Sequence, residues 1–414
     1  MNKRSFLKYL AALGLGSPLL SGKAEAFTGN NLDWNSGDIW EQIRAGYKLK
    51  PDYINLENGY YCFLPEQTLE KYIEHIREVN YQGSYYMRTV KLEDKAKSAA
   101  KVAELVGAHP EEVILTRNTT ESLDLIIQGF PWKAGDEAIY SNQDYGSMQT
   151  MFELTSKRQG IKTVRVDIPL HPESDEEIVE VYRKAITPRT RLMMVPHLVN
   201  ITGQILPVRK ITDMAHSYGV EVMLDGAHAV GHFTFDMHEL DCDYYGSSLH
   251  KWLSVPLGCG MLYVKKEKIG KLEPLIAPFD LKLKTLEYLN NTGTHPVATD
   301  LAVLDAVEFQ EKIGAKRKED RLRYLQRYWS DQVRDFPGIQ VNTPIDPVRS
   351  CAIANVGIEK MSPAEMAKIL LDKYQIFTVA IDGAGVKGCR ITPNLYTSTK
   401  ELDQFVAALK EMAG

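Results

Sequence analysis

Apolar positions change rhythm three times along this chain. Residues 33–44, 65–80 and 91–106 carry them at helical spacing, with a short strand and turn at Tyr53-Ile54-Asn55-Leu56-Glu57-Asn58-Gly59. From Glu112 the pattern becomes an alternation. Short apolar runs at 113–116, 136–140, 162–166, 191–195, 221–224, 243–246 and 259–264 read as buried strands. Amphipathic stretches at 122–130, 148–159, 175–185 and 208–217 lie between them. Strands alternating with helices predict an α/β layer with a mostly parallel sheet and helices on both faces. Beyond Val297 the pattern changes again. One long charged helix over 300–335, strands at 338–341 and 352–356, and helices at 362–372 and from Lys400 predict a smaller α+β domain. The expected division is a leader over 1–26, an N-terminal segment over 27–90, a large domain over 91–296 and a small C-terminal domain over 297–414.

The leader has its own pattern. A charged start, Lys3-Arg4-Ser5-Phe6-Leu7-Lys8, precedes an apolar run over 9–20 and the small-x-small sequence Ala24-Glu25-Ala26. This is the plan of an export signal peptide. Its charged start resembles a twin-arginine (Tat) signal with Lys3 in place of the first arginine. A Sec signal or an uncleaved amphipathic tail fits the same residues. The expected location is periplasmic or exported. No other stretch approaches about 18 consecutive apolar residues, so no membrane span is expected.

Composition narrows the partners. The 414 residues are 44% hydrophobic and 25% charged with a net charge of −5, which suits a soluble two-domain protein and gives no basic excess for nucleic acid. The five cysteines form no C-x-x-C pair, so no zinc or thioredoxin-like site is written here; each reads as a small buried apolar residue.

Three strings carry chemistry. Ser248-Leu249-His250-Lys251-Trp252 follows a strand. A buried lysine there, flanked by phosphate-binding Ser and His, suits a Schiff-base lysine, because burial destabilises the ammonium; a surface lysine after a helix-capping serine fits the string alone equally well. Val222-Met223-Leu224-Asp225-Gly226-Ala227-His228 places an Asp at the carboxyl end of a buried strand, where α/β proteins bind ligands. Such an Asp can hold a protonated pyridine nitrogen, or simply cap a helix. Thr116-Arg117-Asn118-Thr119-Thr120-Glu121-Ser122 puts a helix N-terminus after a strand, a phosphate cradle or an ordinary N-cap. Dinucleotide and P-loop glycine fingerprints are absent.

Taken in this order, the three strings resemble the class V aminotransferase family of fold type I enzymes dependent on pyridoxal 5′-phosphate (PLP), nearest its isopenicillin N epimerase-like branch and related to the cysteine desulfurases. The resemblance runs from Tyr53 to the C-terminus. It implies that Lys251 carries PLP and shuttles protons, that Asp225 holds the ring nitrogen, and that His228 and Asn200 lie beside the phenolic oxygen. It assigns the phosphate to Thr119, Thr120, Ser248 and His250, and ring stacking to Tyr145. Asn291-Thr292-Gly293-Thr294 resembles the loop that reaches the partner's phosphate, so a homodimer with shared active sites is implied, residues 27–90 packing on the small domain and the partner. Arg390 would clamp the carboxylate of an amino acid substrate, with Arg88 a candidate for a second anionic group. Tyr60, Tyr86 and Leu281 stand on the loops that would set side-chain specificity.

One departure shapes the expected reaction. Desulfurases carry a nucleophilic Cys on a mobile loop before the arginine, whereas residues 379–386 here hold none and Cys389 abuts Arg390 directly. The order of expectation is epimerase-like or lyase chemistry at the α-carbon, then transamination, then desulfuration. The alternative of another class is an exported binding module that keeps the fold without the chemistry.

Overall fold

The apolar runs pair edge to edge. In the computed structural model, which describes residues 37–283 and 285–414, they form one seven-stranded sheet; the export-signal reading of residues 1–26 lies outside the described residues. In chain order, after a two-residue strand β1 (Ile54–Asn55), come β2 (Val113–Thr116), β3 (Glu137–Ser141), β4 (Lys162–Val166), β5 (Thr190–Pro196), β6 (Glu221–Asp225), β7 (Tyr244–Ser248) and β8 (Gly260–Val264). They lie in the order β2-β8-β7-β6-β5-β3-β4, and only β8 runs against the rest.

Both faces of the sheet are buried, which is why its strands read as unbroken apolar runs. Within β5, Met193 and Val195 enter one core while Leu192 and Met194 enter the other. Helices on each side complete those cores. Helix Thr119–Gly129 packs on β7 and β8, and Ser122 Oγ locks it there by donating to the Met261 carbonyl of β8 at 2.8 Å.

The fold class is the one expected, an α/β sheet with a smaller α+β part, and two elements differ in detail. The helix expected over 300–335 is two, Ala298–Ile313 and Ala315–Ser330, because Gly314 adopts φ +87°, a left-handed angle that ends the first helix. Residues 379–386, the stretch aligned with a mobile loop, belong to a hairpin. After β9 (Ile339–Val341), β10 (Ala354–Ile358) and β11 (Ile376–Phe377), strands β12 (Val379–Gly383) and β13 (Val386–Ile391) pair across a turn at Ala384 and Gly385. Both turn residues have positive φ, 52° and 78°, the geometry of a tight hairpin turn. The small antiparallel sheet runs β12-β13-β10-β9 over a third core that includes Trp329 and Phe405. The N-terminal segment reaches this region directly: β1 pairs in parallel with β11.

Candidate active site

Strands that run in parallel release their chains at the same sheet edge. Thr119 follows β2, Tyr145 follows β3, Asn200 follows β5, Asp225 ends β6, and Ser248 ends β7 three residues before Lys251. A crevice outside the carboxyl ends of parallel strands is the binding position such sheets favour. Here it is a cavity of about 370 Å³ lined by Thr119, Thr120, Tyr145, Asn200, Asp225, His228, Ser248, His250, Lys251 and Arg390. Four expected residues, Arg88, Thr294, Tyr86 and Leu281, lie outside it. Arg88 is exposed in a short π-helical turn, Tyr86–Val90, outside this cavity. Thr294 is exposed on a loop lining a different cavity with Lys91 and Lys95. Tyr86, expected at the mouth, is buried and donates to Asp94 at 3.1 Å.

At one end, Asn118 caps helix Thr119–Gly129 by accepting from Glu121 N–H at 2.9 Å. Thr119 N–H donates to Ser248 Oγ at 3.0 Å, and the two hydroxyls lie 2.7 Å apart. Hydroxyls gathered at the positive end of a helix make an anion cradle. His250 joins it with one nitrogen committed: Nδ1 lies 3.0 Å from the Cys259 carbonyl, so Nδ1–H donates there. Nε2 can then donate to an anion only from the imidazolium, which burial opposes.

At the other end, Asp225 is buried, with Oδ1 accepting Ala227 N–H at 2.9 Å. Burial raises its pKa, and the Lys251 cation partly offsets this. A protonated ring nitrogen brought to this carboxylate would relieve the same cost. Asp144 is pushed up to about 8 by burial, with the charge of Asp225 acting in the same direction.

Between the two ends stands Lys251. Burial lowers its amine to about 8, with Asp225 acting to raise it and Arg390 to lower it. Its Nζ lies 3.0 Å from His228 Nε2. The ring of Tyr145 is 49% exposed on the cavity wall, an uncovered aromatic face for a planar ligand. Anion cradle, aromatic wall, an amine whose charge burial disfavours and buried carboxylate together fit the phosphate, ring, aldehyde and pyridine nitrogen of PLP.

The rim holds the departure from expectation. Arg390 is buried on β13, and its fork already has a carboxylate partner. Nε and Nη2 donate to Glu57 at 3.2 and 2.6 Å, and Nη1 donates to the Asn200 carbonyl at 3.3 Å. Glu57 also accepts Tyr60 N–H at 3.0 Å. Gly59 lies flat against the guanidinium: a Cβ there would stand 2.7 Å from Cζ and Nη2. Only one edge of the fork, Nη1 with Nη2, faces away from Glu57 and can receive a substrate carboxylate. Sequence reading missed Glu57 and Gly59 because their partner lies more than 300 residues away. A charged Glu at the end of the apolar stretch Tyr53-Ile54-Asn55-Leu56 was the one signal that a distant cation was needed.

Comparison with known proteins agrees with this geometry. The family model described as aminotransferase class-V matches residues 63–405. The isopenicillin N epimerase of Streptomyces clavuligerus is 26% identical over 392 residues, 91% of this chain and 98% of the relative. A probable cysteine desulfurase of Halalkalibacterium halodurans is 26% identical over 317 residues, 73% of this chain and 76% of the relative. Among solved structures, a C-DES mutant with glycine covalently linked to its PLP cofactor superposes with a TM-score of 0.81 at 19% identity, covering 89% of this chain and 99% of that one. The chain belongs to the class V aminotransferase family, with the fold type I architecture and the PLP dependence of its enzymes.

Proposed function

We propose that this enzyme acts at the α-carbon of an amino acid, with epimerase-like or lyase chemistry as the outcome. The observation that carries the reading is the convergence of Lys251, Asp225, His228 and Arg390 on one cavity. When bound, PLP supplies an electron-accepting ring that stabilises negative charge at the α-carbon. Thr119, Thr120 and Ser248 would hold its phosphate at the helix N-terminus. Asp225 would keep its ring nitrogen charged, and Tyr145 would cover one face. Arg390 orients the substrate by its carboxylate. Lys251, its amine free in the cavity, would take the α-proton as general base and return it.

The cysteines favour this outcome over desulfuration. All five are buried. Cys389, next to Arg390, directs Sγ at the Pro363 carbonyl (3.6 Å), and burial pushes its thiol up to about 11. Cys62, near Lys251, is pushed up to about 12 by burial. A persulfide needs an accessible, low-pKa thiolate, and neither supplies one. Transamination ranks between the two. The reading as a binding module without chemistry is disfavoured by a buried amine whose charge the site suppresses.

The working form we propose is a homodimer with shared sites. Leu257 at the cavity mouth and Leu92 and Phe279 beside the Thr294 loop expose apolar surface, as an uncovered subunit face would. Arg88, exposed outside its own chain's cavity, would serve the substrate by reaching the partner's cavity. An exported, Tat-like route rests on residues 1–26. No helix among the described residues is long and apolar enough to cross a membrane.

Incubation of the PLP-loaded protein with a panel of L- and D-amino acids in heavy water tests the reaction. Deuterium at the α-carbon, with inversion or loss of a β-substituent, is the expected result. Absence of exchange across the panel would favour the binding module, and conversion of PLP to its amine form would favour transamination.

A further inference from the structure

Trp252 follows the cofactor lysine, and its ring does not contact the cavity. Its indole Nε1–H points at Nδ1 of His228, 3.2 Å away. An indole N–H can only donate, so Nδ1 of His228 must accept. A neutral imidazole with a bare Nδ1 carries its proton on Nε2, the atom 3.0 Å from Lys251 Nζ. An imidazolium is ruled out by the same donor. An N–H directed at Lys251 requires a lone pair there, which a free amine has and an ammonium lacks.

Trp252 is itself held on several sides. Its ring stacks on His232 with centroids 3.8 Å apart and planes 9° apart. His232 cannot turn: Nε2 accepts Ala352 N–H at 2.9 Å, and Nδ1–H therefore donates to the His228 carbonyl at 2.7 Å. The buried Lys318 donates to the Trp252 carbonyl at 2.5 Å and to Gln310 Oε1 at 2.9 Å.

We propose that Trp252 is a positioning residue that fixes His228 as its Nε2–H tautomer, so that His228 donates to Lys251 and holds the amine as the free base that captures the cofactor. The proposal rests on the reading of Lys251 as the cofactor lysine. In capture, Lys251 Nζ uses its lone pair to form a C–N bond with the aldehyde carbon, and both its protons leave with the carbonyl oxygen as water. An ammonium has no lone pair for that step. The other charged or titratable groups facing Lys251 are Asp225 on β6, Arg390 on β13, Glu57 and Cys62 on the N-terminal segment, and His250 beside it. Asp225, Glu57 and Cys62 favour the ammonium and Arg390 opposes it. Beside these, His228 stands at hydrogen-bonding distance, its Nε2 3.0 Å from Lys251 Nζ.

The test uses the full chain stripped of cofactor with hydroxylamine and labelled with ¹⁵N at histidine. Long-range proton–nitrogen spectra, with His228→Gln to assign the signal, should show His228 protonated at Nε2 and bare at Nδ1. In Trp252→Phe that pattern should be lost. The rate at which added PLP becomes fixed to Lys251, read as a borohydride-stable mass adduct against pH, should then have its midpoint raised by about one pH unit. A purely structural Trp252 would lower thermal stability and leave that midpoint in place. A wild-type His228 protonated at Nδ1, or an unmoved midpoint in folded Trp252→Phe, overturns the proposal. Should Trp252→Phe fail to fold, the wild-type spectrum decides alone. Failure of the wild type to fix PLP at any pH would defeat the cofactor-lysine reading instead, and the spectrum would still judge the tautomer.

Discussion

The floor of the cavity and its rim are built in different ways. Floor residues Thr119, Asp225, Ser248 and Lys251 stand at or just beyond the ends of strands paired within one buried sheet. Each is placed by backbone a few residues away. The rim is assembled from afar: Arg390 comes from the small sheet, while Glu57 and Gly59 come from the N-terminal segment. A floor so fixed suits chemistry, which needs constant geometry. A rim made by two packed segments suits recognition, because either segment can change without disturbing the sheet.

Four experiments break or sharpen this contrast. Replacing the central floor residue, Lys251→Met, should abolish the borohydride-fixed adduct and lower turnover at least ~10³-fold, read by α-proton exchange. The same change should stabilise the cofactor-free protein. The folded amine sits at about 8 against an ordinary 10.5. Between those values the unfolded chain binds a proton that the folded chain does not, so stability rises with pH across that window. The gain on removing Lys251 should be on the order of 3 kcal/mol at pH 7 and vanish above about pH 10.5, by urea unfolding at both. No such gain would mean that the floor is not strained.

Asp225→Asn keeps the shape and removes the charge. The cofactor should still attach to Lys251 while exchange falls about 10²-fold; unchanged exchange would free Asp225 from its assigned role. On the rim, Glu57→Ala should cost about 3 kcal/mol of stability, because it leaves the buried Arg390 uncompensated. A loss no larger than that of a surface change would show that solvent reaches the pair. Smallest is Arg390→Lys, which gives up the planar fork but keeps the charge. It should raise KM about tenfold with little change in kcat, and an equal fall in kcat would move Arg390 from recognition to chemistry.

The same contrast explains what the sequence revealed. Asp225, Lys251 and the Thr119 turn were legible because each follows a short apolar run, and the strand ends bring those runs together. Tyr145 was legible through resemblance alone, since nothing local marks it. Glu57 was not readable, because its meaning depends on a strand pairing that no local pattern encodes. Trp252 was in view within the lysine string, but its bond to His228 joins residues 24 positions apart and follows from the fold, not from spacing. The β12–β13 hairpin was missed because its turn uses Ala384-Gly385, while the Asp-Gly pair that would signal a turn, Asp382-Gly383, lies within strand β12. The helix break at Gly314 was hidden by the charged pattern continuing across it.

The reversed strand β8 has a consequence for how the molecule is made. Strand β2, which presents the Thr119 turn, lies at the sheet edge, and β8 is its neighbour there, Val113 pairing with Tyr263. A ribosome delivers the turn early and its partner strand late, so the anion cradle waits, unpaired, until nearly two thirds of the polypeptide has emerged. Such distant closure slows assembly. Any vitamin captured during synthesis must therefore arrive in the last third of translation, after the last strand of the large sheet is laid down.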